Sequence, residues 1–388
     1  HFNRNSLNNI IKISLYLNNK STKLKTDISY NIFENKSQID TTPNFKQFLS
    51  NTGLETQIIK KTTQIGLNNI ITATKEPIFQ FVFIEVEPGK GTFVWIDYNN
   101  DKLQQTDEFE IAHFADEGRY IKVPLNSNKY IKTYNNKTIG FLTINPSNLI
   151  GNNNKIKKIL EKINNSTNII FENKSPQIFN FNTNKQISET IIILNNFKLI
   201  ATNKIQINYI YQKNNSIQTN YLGTDKNTFN SHNLDIIFKP NSNILLMNQT
   251  FFKKNIQKNN YSINRHFELK SKENILKSRV INEDIETEIS IKISQIQNQS
   301  GIEKLSNYEI STNTIINTNK KIETKIFLSY IYNNFEGNTN SSIAYSMLQG
   351  LKNGSNYIAN LQFNYNLNKI FKINLQYNLR YSNSSTPV

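Results

Sequence analysis

Cysteine is absent from all 388 residues. That excludes disulfides, thiol catalysis and zinc–thiolate sites, and it suits an exported chain. Long hydrophobic runs are missing as well. The longest, Ile78–Ile84, is interrupted by Gln80, so a bilayer would have to be crossed by strands rather than by a helix. Histidine is scarce: His1, His113, His232 and His266 are scattered, and only His113 has acidic neighbours, Glu110 and Asp116. No nucleophile, base and oxyanion donor converge, so no catalytic residues are assigned and a non-enzymatic role is expected. His232 and His266 are expected on strands, facing water. Acidic residues are outnumbered 29 to 45 by Lys and Arg, a net charge of +16. Nucleic-acid binding needs clustered cations interleaved with stacking aromatics. Here the lysines are spread mostly one at a time, and short clusters such as Lys60-Lys61 and Lys157-Lys158 lack aromatic neighbours. No nucleic-acid partner is expected, and a nucleotide bias towards Asn, Lys and Ile codons accounts for the charge.

What the chain has in quantity is alternation. From Tyr357 to Tyr381, Tyr357, Ala359, Leu361, Phe363, Tyr365 and Leu367 alternate with polar residues, and Phe371, Ile373, Leu375, Tyr377, Leu379 and Tyr381 do the same after a short turn. A strand's side chains point to opposite faces with period two, so each arm has one apolar and one polar face. Each arm is about the 9–11 residues that a tilted strand needs to cross a bilayer. Tyrosines at the far ends, and Tyr365 with Phe371 at the turn, sit where the aromatic girdles of a membrane barrel belong. Asn360, Gln362, Asn364, Asn374, Gln376 and Asn378 on the other face would line a wet interior, since a dry core would leave their amides unsatisfied. The same texture runs from Ile11 to Ile32, and from Ile205 through Leu234, Ile289 and Ile326 to the end. Roughly twelve to sixteen strands are expected. Arg265 on an apolar face, and Phe33 and Ile210 on polar faces, are exceptions. With 37% hydrophobic residues the composition resembles that of a soluble protein, but half of every strand in a membrane barrel also faces water.

Two stretches break this pattern. Residues 152–163 place Ile156, Ile159, Leu160 and Ile163 at helical spacing among lysines, which predicts a short amphipathic helix, interfacial or packed. Glu87-Pro88-Gly89-Lys90-Gly91 is a strong turn signal, and beyond it acidic residues concentrate, the single Trp95 appears, and short strands are expected at Thr92–Ile96, Tyr120–Val123 and Tyr130–Thr133. Within this module Asp97, Asn99 and Asp101 stand at the first, third and fifth places of a twelve-residue calcium loop, Leu103 at the seventh offers its carbonyl, and Glu108 closes it. Lys102 occupies the sixth place, where Gly normally makes the sharp turn. The bland alternative is a polar turn with unpaired carboxylates.

The segments Gly89-Lys90-Gly91-Thr92-Phe93-Val94-Trp95-Ile96-Asp97-Tyr98-Asn99, Asp107-Glu108-Phe109-Glu110-Ile111-Ala112 and Tyr120-Ile121-Lys122-Val123 resemble large, mostly uncharacterised β-rich proteins of the Bacteroidetes outer envelope. So do Tyr345-Ser346-Met347-Leu348-Gln349-Gly350-Leu351, Gly354, Asn356, the final hairpin and Arg380. The resemblance implies the C-terminal portion of a longer outer-membrane protein that continues beyond both ends of this sequence. In that family Gly usually stands at the place of Lys102. The start at His1, without a charged segment followed by an apolar one, is likewise expected of a fragment or of a chain whose leader has been removed.

The expectation is therefore an all-β chain of antiparallel amphipathic strands, a partial transmembrane β-barrel of a Gram-negative outer membrane, with the lipid bilayer as its partner. Its divisions are 1–86, barrel strands; 87–150, a water-facing module that binds Ca2+; 151–186, a short helix and connection; and 187–388, further barrel strands. The role expected is passage of a solute or polypeptide, or surface assembly. The rival is a soluble extracellular calcium-dependent adhesin or structural β-sandwich, whose strands usually run only about 5–6 residues.

Overall fold

The computed structural model describes residues 6–35, 45–58, 62–146, 158, 160–176, 187–219, 223–260, 266–318, 321–367 and 371–384. The chain is nearly all-β: sixteen long strands form one antiparallel sheet. In chain order the strands are β1 (Ser6–Asn18), β2 (Thr22–Asn35), β3 (Phe45–Ile58), β4 (Thr63–Glu85), the short β5 (Phe93–Trp95) and β6 (Phe109–Ile111), β7 (Tyr120–Ile144), β8 (Ile163–Ser175) and β9 (Ser188–Ile200). Then follow β10 (Ile205–Thr219), β11 (Thr224–Phe238), β12 (Ile244–Asn259), β13 (Phe267–Ile281), β14 (Ile285–Asn298), β15 (Lys304–Thr318), β16 (Ile322–Glu336), the helix α1 (Ser342–Leu348), β17 (Gly354–Asn366) and β18 (Lys372–Ser384). Each long strand pairs with its neighbours in sequence, β4 meeting β7 across the inserted β5 and β6. Among the described residues no register joins β1 to β18, so these are the two edges of the sheet.

The alternation becomes two faces of opposite chemistry. In β16, Leu328, Tyr330 and Tyr332 are exposed while Ser329, Ile331, Asn333 and Phe335 between them are buried. β11 repeats this with Leu234, Ile236 and Phe238 out and Ser231, Asn233 and Asp235 in. The register aligns the outward sets from strand to strand, Ile291 opposite Ile310 and Ile310 opposite Tyr330, then Tyr357 and Tyr381. Much of the convex face is thus apolar, Ile289 being 51% exposed, whereas the concave face buries Asn333 to 2% and Asn356 completely. A soluble protein has the opposite arrangement, with apolar side chains inside.

Amides on the convex face are bonded to one another. Asn274 donates to Asn248 Oδ1 and Thr250 Oγ1, both at 2.9 Å. Asn69 does the same to Asn136 and Thr138, both at 2.8 Å. Charges on the concave face pair across strands, as in Lys253–Glu273 at 2.8 Å, Lys277–Glu288 at 3.4 Å and Lys137–Glu172 at 3.3 Å. Phe33 and Ile210 lie on the concave side as the pattern predicts, and Arg265 lies outside the described residues.

Several boundaries differ from those read in the sequence. Tyr120–Ile144 is one continuous strand paired with β4, so the module is the segment 86–119 rather than 87–150, and the separate strands at 120–123 and 130–133 are one. Pro124 and Asn126-Ser127-Asn128 interrupt the apolar alternation there, and the ladder with β4 runs on either side of a register shift between Pro77 and Phe79. The connection expected over 151–186 contains β8, whose sequence INNSTNIIFENKS has no clean period. Most of the helix expected over 152–163 lies outside the described residues, and Ile163 begins β8. The short helix α1 lies elsewhere, capped by Ser341 Oγ, which accepts from Ala344 N at 3.1 Å. His232 is on the convex, apolar face between Tyr209 and Tyr211, its Nδ1 2.7 Å from the Tyr209 hydroxyl. His266 lies just before β13.

Candidate functional site

The connections at one end of the sheet are mostly short, such as 19–21, 201–204 and 282–284, with 145–162 the exception; the opposite end carries 86–119 and 337–353. The candidate site residues gather at this loop end. β4 and β7 project beyond their neighbours and carry the module on a small aromatic core. Phe83 stacks on Phe109 with ring centres 4.0 Å apart, and Phe93 and Tyr120 pack edge-on against this pair. At the neck, a Cβ on Gly118 would stand 2.1 Å from the Gly91 carbonyl oxygen, a close approach only glycine permits.

On that core sits the loop from Asp97 to Glu108. Asp97 Oδ2 accepts from Lys102 N at 2.9 Å and its Oδ1 from Asp101 N at 3.2 Å. Asn99 Oδ1 accepts from Asp101 N at 2.9 Å, and Asp101 Oδ1 from Leu103 N at 2.7 Å. These bonds fold the loop around its own carboxylates. Lys102 takes φ 62°, so it supplies the left-handed turn for which glycine is the usual residue. Such a conformation costs a non-glycine residue about 1–2 kcal/mol.

The loop brings together three of the five predicted ligands: carboxylate oxygens of Asp97, Asp101 and Glu108 lie within 4.8 Å of one another. Asn99 is beside them, its amide nitrogen 2.9 Å from Asp101 Oδ2. Leu103 is held by Asp101 through its N–H, with its side chain in solvent. Glu108 is only 3% exposed. Its Oε2 accepts from Trp95 Nε1 at 2.9 Å, while its buried Oε1 has no hydrogen-bond partner. Two unit charges at 4.8 Å repel by about 3 kcal/mol at an effective dielectric of about 20. A buried carboxylate oxygen without a hydrogen-bond partner, on a side chain clustered with two more carboxylates, is what a hard divalent cation would satisfy, and the donor set is all oxygen, as calcium prefers.

The module also reaches across the mouth of the curled sheet. The backbone N–H of His113 donates to the Tyr345 hydroxyl of α1 at 3.3 Å, and that hydroxyl lies 3.4 Å from Glu117 Oε2. Arg380, on the concave side of β18, grips Asp116 at 3.0 Å and Glu117 at 2.8 Å, and its guanidinium lies 3.9 Å from the centre of the Phe114 ring. Asn340 Nδ2 donates to the Asp97 carbonyl at 3.5 Å, tying the carboxylate loop to the connection before α1. The helix itself packs on the concave residues Phe267, Leu269, Leu305 and Phe335 through Ala344, Met347 and Leu348. Module and helix together form a cap, anchored at opposite parts of the sheet. Sequence reading marked His113 and Asp116 as neighbours but missed Tyr345, Glu117 and Arg380 as a group, because no periodicity links residues more than 200 positions apart.

Burial pushes the Tyr345 hydroxyl up to about 12 and raises the Glu117 carboxyl above its ordinary value, Arg380 opposing the latter. Burial also lowers the His113 imidazole. A lowered histidine contributes stability that is complete above its unfolded value of about 6.5 and is lost as pH falls through the folded value. Glu117 acts in the opposite sense closer to the carboxylate range. Hydrogen-exchange protection in 86–119, after allowance for the intrinsic slowing of exchange in acid, is therefore expected to fall as pH drops below about 6.5, and His113→Phe to remove that part of the fall.

No protein-family model matches the chain, and no curated protein matches it. Solved structures do align. The FrpB iron transporter from Neisseria meningitidis (F3-3 variant) aligns over 97% of this chain and 69% of its own length, at 8% identity and a TM-score of 0.40. The ferric-catecholate import receptor Fiu from E. coli K12 aligns over 97% of this chain and 64% of its own, at 7% identity and 0.43. The outer-membrane expressed OmpT of Vibrio cholerae aligns over 84% and 85%, at 6% and 0.32. At these scores the likeness adds nothing to the architecture that strand pairing already gives.

Proposed function

We propose that this protein is a transmembrane β-barrel of a Gram-negative outer membrane, with a non-enzymatic role in the passage of a solute or polypeptide or in surface assembly. The observation that carries this reading is the inversion of the two faces: apolar side chains cover the convex side while fully buried asparagines lie on the concave side. In lipid every polar group must be satisfied internally, and the mutually bonded Asn274, Asn248 and Thr250 on the convex face meet that demand. A soluble adhesin would need a second sheet over the convex face, and none of the described strands packs there. The capped mouth supports a regulated interior, and the carboxylate loop supports calcium as a structural ion within the cap. Longer connections usually face the exterior in such barrels, which supports a cap turned towards the cell surface.

The test is electrophoretic migration of the protein extracted from membranes in mild detergent, with and without boiling. A heat-dependent shift, with the protein absent from the aqueous fraction, is the expected result. Migration indifferent to heat, from a protein soluble in buffer alone, would sink the membrane reading.

A further inference from the structure

Register on the convex face lines residues of neighbouring strands into rungs. Lys254, Lys270, Gln297 and Lys304 share one rung of β12 to β15. The next rung towards the turn end holds His232, Phe252, Lys272 and Gln295. Further towards that end, about 13–20 Å along the strands, Ile236, Phe238, Leu246, Leu276, Ile289 and Ile291 line an apolar groove. A cationic rung thus lies above an aromatic one, and that above a groove, all on the same few strands.

The cations here are only partly compensated: Lys304 has Glu336 opposite it on β16, whereas Lys270 and Lys272 stand opposite no carboxylate. Lys254 stands directly opposite Lys270, and Lys226 opposite Lys258. Like charges in register destabilise a sheet. Glu268 reaches Lys254 at 2.8 Å, Lys270 donates to the Gln299 amide oxygen at 3.3 Å, and Lys272 lies 5.8 Å from the centre of the Phe252 ring. On the concave side of these same strands, Lys253, Lys277, Arg279 and Lys292 each have a carboxylate. The difference between the faces suggests an anion supplied from outside the chain.

We propose that Lys254, Lys270, Lys272 and Lys304 bind the phosphates of a bilayer lipid whose acyl chains lie in the apolar groove. This rests on the membrane-barrel reading above. Since the cationic rungs are nearer the loop end, which that reading turns outward, the lipid is a diphosphorylated outer-leaflet glycolipid of the lipid A kind. Its two phosphates match the four-lysine patch better than a single phosphodiester does.

The test is native mass spectrometry of the detergent-extracted protein with diphosphoryl lipid A, dephosphorylated lipid A or phosphatidylglycerol, for the natural protein and the K254Q/K270Q/K272Q/K304Q variant. The natural protein is expected to prefer diphosphoryl lipid A, and the variant to bind it on the order of a hundredfold more weakly while keeping its heat-dependent gel shift. A variant that keeps both its shift and its affinity would overturn the proposal and leave the barrel standing. Preference for phosphatidylglycerol would overturn it too. If the variant does not fold, equal binding of phosphorylated and dephosphorylated lipid A by the natural protein overturns it, and discrimination between them upholds it. A natural protein without a heat shift removes the barrel reading and this inference together.

Discussion

Glu108→Gln is expected to abolish calcium-dependent stabilisation of the cap while making the calcium-free protein slightly more stable. The two signs come from one geometry. Without calcium, Glu108 holds a buried oxygen with no partner in a cluster whose carboxylates approach within 4.8 Å. Glutamine keeps an oxygen for Trp95 Nε1 and turns an amide donor towards Asp97 and Asp101, replacing repulsion by attraction. With calcium, the same change removes the closing carboxylate, which in loops of this kind binds the ion through both oxygens. At calcium about 100 times the dissociation constant the ion stabilises by about 2.7 kcal/mol, and a hundredfold weaker site would leave about 0.4 kcal/mol. Calcium titration followed by protease protection of 86–119 reads both effects. Lys102→Gly should move the other way, relieving the left-handed φ of 62° and removing a positive charge, and so tighten binding. An identical calcium response in the natural protein and Glu108→Gln would show that the loop is only a polar turn.

The final hairpin was legible in the sequence because both strands obey one period. The faces expected for Tyr357, Leu361 and Phe363 are the ones on which they meet Tyr381, Tyr377 and Leu375. The order of the calcium-loop residues was legible too, since a loop of fixed length closes locally. What escaped was non-local or aperiodic. β8 carries asparagines on both faces, so only the pairing of Glu172 with Lys137 and of Ile169 with Gly140 reveals it as a strand. Lysines far apart along the chain, at 254, 270 and 304, become neighbours because successive hairpins return them to the same height. Their density on one face is a property of register, which single-sequence reading cannot supply.

Arg380→Ala is expected to release the cap, and the reason lies in where the sheet is left open. β18 and β1 are edges, and the module rises from β4 and β7 beyond β1, β2 and β3. Arg380 ties the two sides together by side-chain contacts, its guanidinium fork holding Asp116 and Glu117 and its flat face lying over Phe114. Arg380 donates its hydrogen bond to Asp116, which is largely exposed, so that share is small, and it holds the less exposed Glu117 as an ion pair. A net loss of about 2 kcal/mol would raise the open population of the cap about thirtyfold. Faster proteolysis within 86–119, and a higher conductance of the reconstituted protein, should follow. Arg380→Lys keeps the charge but loses the fork and the stacked plane, so it should fall between the two. Glu117 supplies the internal control. Removing Arg380 takes away the group that opposes the rise in its pKa, so the carboxyl should titrate at still higher pH. If Arg380→Ala leaves both proteolysis and that titration unchanged, the clasp does not hold the cap. If it accelerates proteolysis and also promotes aggregation, the freed β18 edge, with its unpaired backbone groups, is the surface responsible.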